Sequence, residues 1–306
     1  MTTIQVSDVY KSYGKIVALE GVSLEVAEGE IFGLIGPDGA GKTTLFRILT
    51  TLLTPDKGAA SVLGFDVVKD FKAIRRKVGY MPGRFSLYQD LTVLENLRFF
   101  AQVFGATIEE NYYLIKDIYQ QIEPFKHRRA GQLSGGMKQK LALSCALIHK
   151  PRVLFLDEPT TGVDAVSRKE FWDMLHRLRQ EGITILVSTP YMDEAEKCDR
   201  IALIQKGRLL AIDTPRGIVQ AFDKPLWAIQ ADQLYLALQA LRRHPNVASV
   251  FPFGDELHLT AKGDMSSDEL SNYLRNAGFE NAAVSAIPAT IEDCFMELMA
   301  DSSSAS

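Results

Sequence analysis

Two periodicities run along this chain. Up to about residue 222, short apolar runs bounded by turn residues predict strands at 30–35, 153–156, 183–187 and 200–204, with helical spacing between them. The first run turns through residues 36–41 into a helix whose apolar face carries Leu45, Phe46, Ile48 and Leu49. Thr92 with Glu95 reads as a capping box for a helix bearing Val93, Leu97, Phe100 and Phe104. Ser167 with Glu170 reads as another, ahead of Phe171, Leu175 and Leu178, with Gly182 ending the helix. Only helical patterns occur between Leu91 and Lys150, which predicts a helical insert in an α/β core.

The rhythm changes after Lys224-Pro225. Strands are expected at 226–230, 248–253, 256–260 and 282–287, helices at 231–243 and 266–276, and a tight turn at Gly254-Asp255. That order, βαββαβ, is the ferredoxin-like arrangement. A last amphipathic helix at 290–299 carries Ile291, Phe295, Leu298 and Met299, and a polar tail follows.

Composition narrows the classes. The chain has 306 residues, enough for one large core and a smaller second unit. No apolar run approaches the ~20 residues of a membrane span. The polar start lacks the apolar centre of a signal peptide, so a cytoplasmic location is expected. Cys145, Cys198 and Cys294 lie far apart, with no metal spacing or disulfide framework. Cys145 shares an apolar helix face with Met137 and Leu141 and reads as a buried thiol. His244 and His258 lack a thiol or carboxylate at ligand spacing and read as surface histidines. From Asp223 onward there are 12 acidic and 5 basic residues, a balance of −7 within a net charge of −4, which leaves +3 for residues 1–222. Neither part has the basic field of a nucleic-acid binder, so no nucleic-acid partner is expected.

Three motifs carry chemistry. Residues 36–44, GPDGAGKTT, match G-x-x-x-x-G-K-[ST] between an apolar strand and an amphipathic helix. Glycines there let backbone amides converge on phosphate oxygens, and the helix start adds partial positive charge. Gly36, Pro37, Asp38, Gly39, Ala40, Gly41, Lys42, Thr43 and Thr44 are the candidate nucleotide ligands, with Lys42 facing the β- and γ-phosphates and Thr43 offering a hydroxyl to Mg²⁺. The apolar strand Val153–Leu156 ends in Asp157-Glu158-Pro159. Asp157 is the candidate second Mg²⁺ ligand, and Glu158 the candidate catalytic residue that orients or deprotonates the attacking water. Residues 133–140, LSGGMKQK, open a helix that Ser134 can cap, with Gly135 and Gly136 leaving amides bare for an anion.

The order GPDGAGKTT, LSGGMKQK, VLFLDEP, TGVD and LVSTPYMDEAE resembles the ATP-binding subunit of ATP-binding cassette (ABC) transporters across residues 1–222. Within that family it looks most like the ATPases of ABC-2 type exporters, which often end in a small αβ domain closing with a motif like ATIEDCFMEL. The resemblance implies a P-loop NTPase core with an antiparallel β subdomain and a helical insert (about 88–150) over 1–222, and a small ferredoxin-like α+β accessory domain over 223–306. It implies two such subunits sandwiching ATP and Mg²⁺ head to tail, with Ser134, Gly135 and Gly136 reaching the partner's nucleotide and Asp164, in TGVD, bridging the two sites. Tyr13 matches the aromatic that stacks on adenine. A separate transmembrane permease would contact the insert near residues 87–94 and hold the chain on the inner face of the membrane.

Two positions depart from the family pattern. Its usual histidine after the last core strand is Pro190 here, and its usual glutamine after the strand near Tyr80-Met81-Pro82 is Gly83. The segment 186–196, LVSTPYMDEAE, is expected to start a helix capped by Thr189 with Pro190 in its first turn. A proline there supplies no hydrogen bond to a γ-phosphate. Binding is expected to survive and hydrolysis to slow, unless Tyr191 or Gln89 compensates. A homodimer and a heterodimer with a second ATPase subunit both remain open. So do two rival classes: a soluble non-transport ABC ATPase, and a nucleotide-sensing regulatory subunit with little turnover. The C-terminal domain, which lacks a catalytic constellation, is expected to regulate or stabilise the dimer.

Overall fold

The apolar runs become strands buried on both faces. The computed structural model describes residues 1–263 and 265–304, and the chain divides into two compact units, Met1–Thr214 and Pro215–Ser306.

The first unit opens with an antiparallel pair, β1 (Thr2–Tyr13) and β2 (Ile16–Ala27). Then come β3 (Ile31–Ile35), α1 (Lys42–Leu49), β4 (Lys57–Val62), β5 (Phe65–Asp66), α2 (Phe71–Arg75) and β6 (Val78–Met81). The helical insert holds α3 (Val93–Val103), α4 (Ile108–Tyr119) and α5 (Gly135–Leu147). The unit closes with β7 (Val153–Asp157), α6 (Ala165–Gln180), β8 (Thr184–Thr189), β9 (Arg200–Gln205) and β10 (Arg208–Asp213).

These strands form two sheets. One is antiparallel, in the order β2-β1-β4-β5; the other runs β10-β9-β3-β8-β7-β6, parallel from β9 to β6 with β10 antiparallel at its edge. Every residue of β3, β7 and β8 is buried, which is why these strands read as unbroken apolar runs instead of alternating ones. The core joins both sheets through α1: Val6 and Leu24 share one cluster with Phe46, Leu49, Phe155 and Leu186. Phe46 meets Phe155 edge to face at 6.1 Å. Each such fully buried side chain contributes roughly 1.5–3 kcal/mol, and together they fix α1, and with it the loop before α1, against β7.

The insert carries its capping box as expected. Glu95 N donates to Thr92 Oγ1 at 3.2 Å, and Thr92 N donates to Glu95 Oε2 at 2.8 Å. The cap of α6 differs from the expectation. Asp164, not Ser167, is the N-cap, accepting from Val166 N at 3.1 Å and Ser167 N at 3.0 Å. A carboxylate can satisfy two orphan amides and oppose the helix dipole, so the helix starts earlier. Glu170 instead pairs with Lys140 at 3.3 Å.

The second unit contains α7 (Pro215–Gln220), β11 (Leu226–Gln230), α8 (Leu234–Leu241), β12 (Val247–Phe253), β13 (Glu256–Ala261), α9 (Ser267–Asn276), β14 (Ala283–Ala286) and α10 (Ile291–Ser304). Its antiparallel sheet runs β12-β13-β11-β14, the ferredoxin-like order. Leu257 and Leu259 of β13 pack with Leu238 and Leu241 of α8 and Leu270 and Leu274 of α9. The alternate residues His258 and Thr260 sit on the other face, which α10 covers. The boundary falls at 214/215 instead of 222/223 because α7 packs with α10, where Cys294 Sγ reaches Ile218 O at 3.6 Å.

His258 is the clearest departure in this unit. It is buried, with Nδ1 2.6 Å from Asp293 Oδ1 and Nε2 3.0 Å from Glu256 Oε1, and it stacks on Phe253 at 4.0 Å. Sequence spacing hid this because Asp293 is brought in by tertiary packing. Burial pushes the imidazole pKa down, but the hydrogen bonds to Asp293 and Glu256 outweigh it, and the net shift is upward. His244 instead accepts from Asn246 N and meets the Tyr273 ring edge-on at 4.5 Å.

Candidate functional site

The loop between β3 and α1 owes its path to glycines. A Cβ on Gly36 would lie 2.1 Å from Ile204 O, and one on Gly41, at φ +106°, would lie 2.4 Å from Ala18 O. Gly36 N donates to Thr189 O at 3.2 Å, tying the loop to the tip of β8. Gly41 precedes α1 without a side-chain cap, so the first amides of the helix lack intrahelical acceptors and remain available to an anion. Asp38 and Gly39 are exposed at the loop tip, while Ala40 is buried beneath it and Pro37 is half-buried. Thr43 and Thr44, both half-buried, occupy the first turn of α1.

Lys42 is folded back over this loop. Its side chain is 3% exposed, and Nζ donates to Gly36 O at 2.7 Å and Pro37 O at 3.0 Å. Nζ also lies 3.1 Å from Glu158 Oε1. The phosphate-loop lysine and the carboxylate after β7, 116 positions apart by number, thus meet directly.

Asp157 ends β7 as a buried carboxylate whose Oδ1 accepts from Ser188 Oγ at 2.6 Å. Ser188 Oγ in turn accepts from Glu158 N at 3.0 Å. One β8 hydroxyl therefore orients both acidic residues. Glu158 has φ +52°, a left-handed conformation unusual outside glycine. The negative field here is visible on Tyr80 of β6: burial, then the Asp157 charge, pushes its pKa up to about 12. Gly83 follows β6, and a Cβ there would lie 3.0 Å from Asp157 O.

The segment after β8 folds differently from the expectation. Thr189 belongs to the strand and Tyr191 N donates to its Oγ1 at 3.1 Å, a side-chain turn. A 3₁₀ helix begins only at Met192, with Tyr191 as its N-cap. Pro190 therefore sits half-buried at the turn and not inside a helix.

The other predicted residues stand on other elements. Ser134 caps α5, accepting from Met137 N at 3.4 Å. A Cβ on Gly135 would meet nothing within 4 Å, and one on Gly136 would meet only Ser167 Oγ at 3.9 Å. Asp164 caps α6, and the Ser167 amide first of all holds its carboxyl below the usual range. Tyr13 is 44% exposed at the end of β1, beside the exposed Ile16 and Val17.

Sequence reasoning missed Ser188, Thr160 and Glu194. Ser188 had a signal, a hydroxyl inside an otherwise apolar strand tip. Thr160 and Glu194 had none, because their contact at 3.0 Å joins the turn after β7 to the 3₁₀ segment after β8.

Known proteins match this chain in sequence and in fold. The ABC transporter family's sequence model matches residues 19–161. The Nod factor export ATP-binding protein I of Rhizobium sp. (strain N33) is 40% identical over 220 residues, covering 71% of this chain and 72% of that protein. The chain belongs to the ABC transporter family. The probable multidrug ABC transporter ATP-binding protein YbhF of Escherichia coli (strain K12) is 40% identical to this ABC family chain over 276 residues, 89% of it. The chain spans only 47% of that relative's length. Among solved structures, the dimeric bacterial ABC transporter cassette MJ0796 superposes with a TM-score of 0.63 at 28% identity, covering 69% of this ABC chain and 98% of that one. The first unit is thus an ABC cassette with a P-loop NTPase core.

Proposed function

We propose that this cassette binds and hydrolyses ATP to power a separate transmembrane permease, as the ATPase subunit of an ABC-2 type exporter. The observation that carries the reading is Lys42 held between Gly36 O, Pro37 O and Glu158 Oε1 at 2.7, 3.0 and 3.1 Å. A buried ammonium beside amide-bearing glycines suits the β- and γ-phosphates once they displace the Glu158 carboxylate.

The donor set also fits Mg²⁺. Thr43 offers a hydroxyl and Asp157 a buried carboxylate oriented by Ser188, both hard oxygen ligands. Bound there, Mg²⁺ would neutralise charge on the phosphate oxygens. Lys42 would hold the γ-phosphate, and Glu158, released from Lys42 by that phosphate, would take a proton from the attacking water. Tyr13 would stack on the base. Pro190 and Gly83 supply no donor where the family places histidine and glutamine, so hydrolysis would be slow relative to binding.

Dimerisation would give the remaining residues their roles. Glycine at 135 has no internal contact to avoid. Close approach by a phosphate held on a second subunit is a reason to keep it. Asp164 would then lie at the shared interface. The weakened catalytic set favours a second reading of the same dimer, in which the partner is a different ATPase subunit that borrows the Ser134 helix. Size-exclusion of the purified chain with ATP separates the two, because only the first forms a dimer of this chain alone.

The permease would dock at a cavity of the first unit. A cavity of about 390 Å³ opens between β6, α3 and α5, lined by Leu52, Tyr80, Leu87, Phe100, Val103 and Phe104. Leu52 and Val103 stand more than half exposed at its mouth. No helix among the described residues is long and apolar enough to cross a membrane, which suits a subunit held at the inner face by its permease. Val103→Asp tests this docking: vesicle-borne transport should fall while ATP hydrolysis by the isolated subunit is unchanged. Equal transport would count against it.

A further inference from the structure

We propose that Glu194 is a positioning residue for Glu158, acting through Thr160. The inference rests on Glu158 being the residue that activates water.

Glu158 is held in a left-handed conformation, φ +52°. Such a conformation persists in a non-glycine residue only where its surroundings over-determine it. Upstream, Glu158 N donates to Ser188 O at 3.1 Å and to Ser188 Oγ at 3.0 Å. Downstream, Thr161 N closes a turn onto Glu158 O at 3.3 Å, and Val163 N bonds Thr160 O at 3.2 Å. The side chain that fixes this turn is Thr160. It is 1% exposed, and its hydroxyl donates to Glu194 Oε2 at 3.0 Å.

Glu194 is unusual for its setting. It is 2% exposed, in the 3₁₀ segment that follows Pro190. Its second oxygen, Oε1, has no hydrogen-bond partner, and neither has Arg168 Nε, which stands 3.9 Å from it. A half-satisfied buried carboxylate is unfavourable where an apolar residue would pack, so its presence calls for a reason. Arg168 is itself placed by α6: its N donates to Asp164 O at 2.9 Å, and its guanidinium lies over the Tyr191 ring at 4.8 Å. The loop after β8, which brings no donor at Pro190, thus braces the loop after β7. Three segments meet at Glu194: the turn after Glu158 through Thr160, α6 through Arg168, and the turn after β8, where Glu194 N donates to Tyr191 O at 3.3 Å. None of these contacts includes Lys42, so removing them should disturb the direction of the Glu158 carboxylate and leave the phosphate cradle intact. A misplacement of about 1 Å at a reacting group can lower a rate ~100-fold.

The test compares kcat for ATP hydrolysis with the ATP dissociation constant, measured separately by calorimetry, in the full chain. Thr160→Val removes the donor at nearly equal volume and Thr160→Ser keeps it. Glu194→Asp keeps the charge but withdraws the acceptor. Thr160→Val and Glu194→Asp should each lower kcat ~10–100-fold with ATP affinity weakened by less than about threefold, while Thr160→Ser stays near wild type. Wild-type kcat in Glu194→Asp, or equal kcat in the Val and Ser variants, overturns the proposal. Should Thr160→Val lose ATP binding through misfolding, Glu194→Asp decides alone. Glu158→Gln run alongside separates the two claims: if it leaves turnover intact, the role of Glu158 fails, whatever Thr160 does.

Discussion

Lys42 Nζ lies 3.1 Å from Glu158 Oε1, so the residue proposed to hold the γ-phosphate is occupied by the residue proposed to activate water. A phosphate entering the cradle must displace that carboxylate and meet its repulsion. Glu158→Gln removes the competing charge. Calorimetry should show ATP binding several-fold more tightly to this variant than to wild type, while turnover falls ~10²–10⁴-fold, the range expected for a lost general base. Weaker binding would mean that the pair assists nucleotide entry instead of opposing it.

The glycines divide into two groups with opposite predictions. Gly36→Ala and Gly41→Ala place a Cβ 2.1 and 2.4 Å from backbone carbonyls and should abolish ATP binding and lower the melting temperature. Gly135→Ala meets nothing within 4 Å and should leave the melting temperature equal or higher. It should nevertheless weaken ATP-dependent dimerisation, read by size-exclusion in the Glu158→Gln background. Normal dimerisation would remove Gly135 from the proposed interface.

Pro190→His restores a donor at the tip of β8. A single transition-state hydrogen bond is typically worth ~10²–10³-fold, so a rise in kcat of ~10-fold or more is expected. Gly83→Gln should gain less, because its Cβ would stand 3.0 Å from Asp157 O and the carbonyl must give way. No rise in Pro190→His would mean that another group already serves the γ-phosphate.

The second unit should unfold with a histidine signature. Both nitrogens of His258 face carboxylate oxygens, Asp293 on α10 and Glu256 on β13, an arrangement that favours the doubly protonated ring. Its folded pKa is raised above the ordinary 6.5. The stabilisation is therefore complete below about pH 6.5 and is lost as pH rises through the raised folded value. His258→Gln should flatten this dependence and lower stability at pH 6 by about 3 kcal/mol, the low end for breaking a buried pair. Thermal melts from pH 5.5 to 8.5 read both effects, and a wild-type curve flat across that range would contradict the assignment.

How much of this was legible in the sequence follows from the forces involved. Buried parallel strands such as β7 and β8 announce themselves because both faces are covered. The cradle was legible because one helix start and one glycine loop build it locally. β1 was not foreseen as a strand: register shifts around Val9 break its alternation, and Asp8 adopts φ +51° where its N bonds Ser23 Oγ. The α6 cap was misassigned because Asp164 and Ser167 both suit a helix start, and only geometry shows which amides are free. His258 was misread, and Glu194 passed over, for one reason. Their partners, Asp293 and Thr160, stand 35 and 34 positions away and are met only through tertiary packing.

The most direct test of the central claim is ATP turnover by the purified chain at saturating Mg-ATP, measured beside Glu158→Gln. Slow but measurable hydrolysis in the wild type, lost in the variant, is the predicted result. Equal rates in the two proteins would contradict the account, since the carboxylate facing Lys42 would then have no part in the reaction.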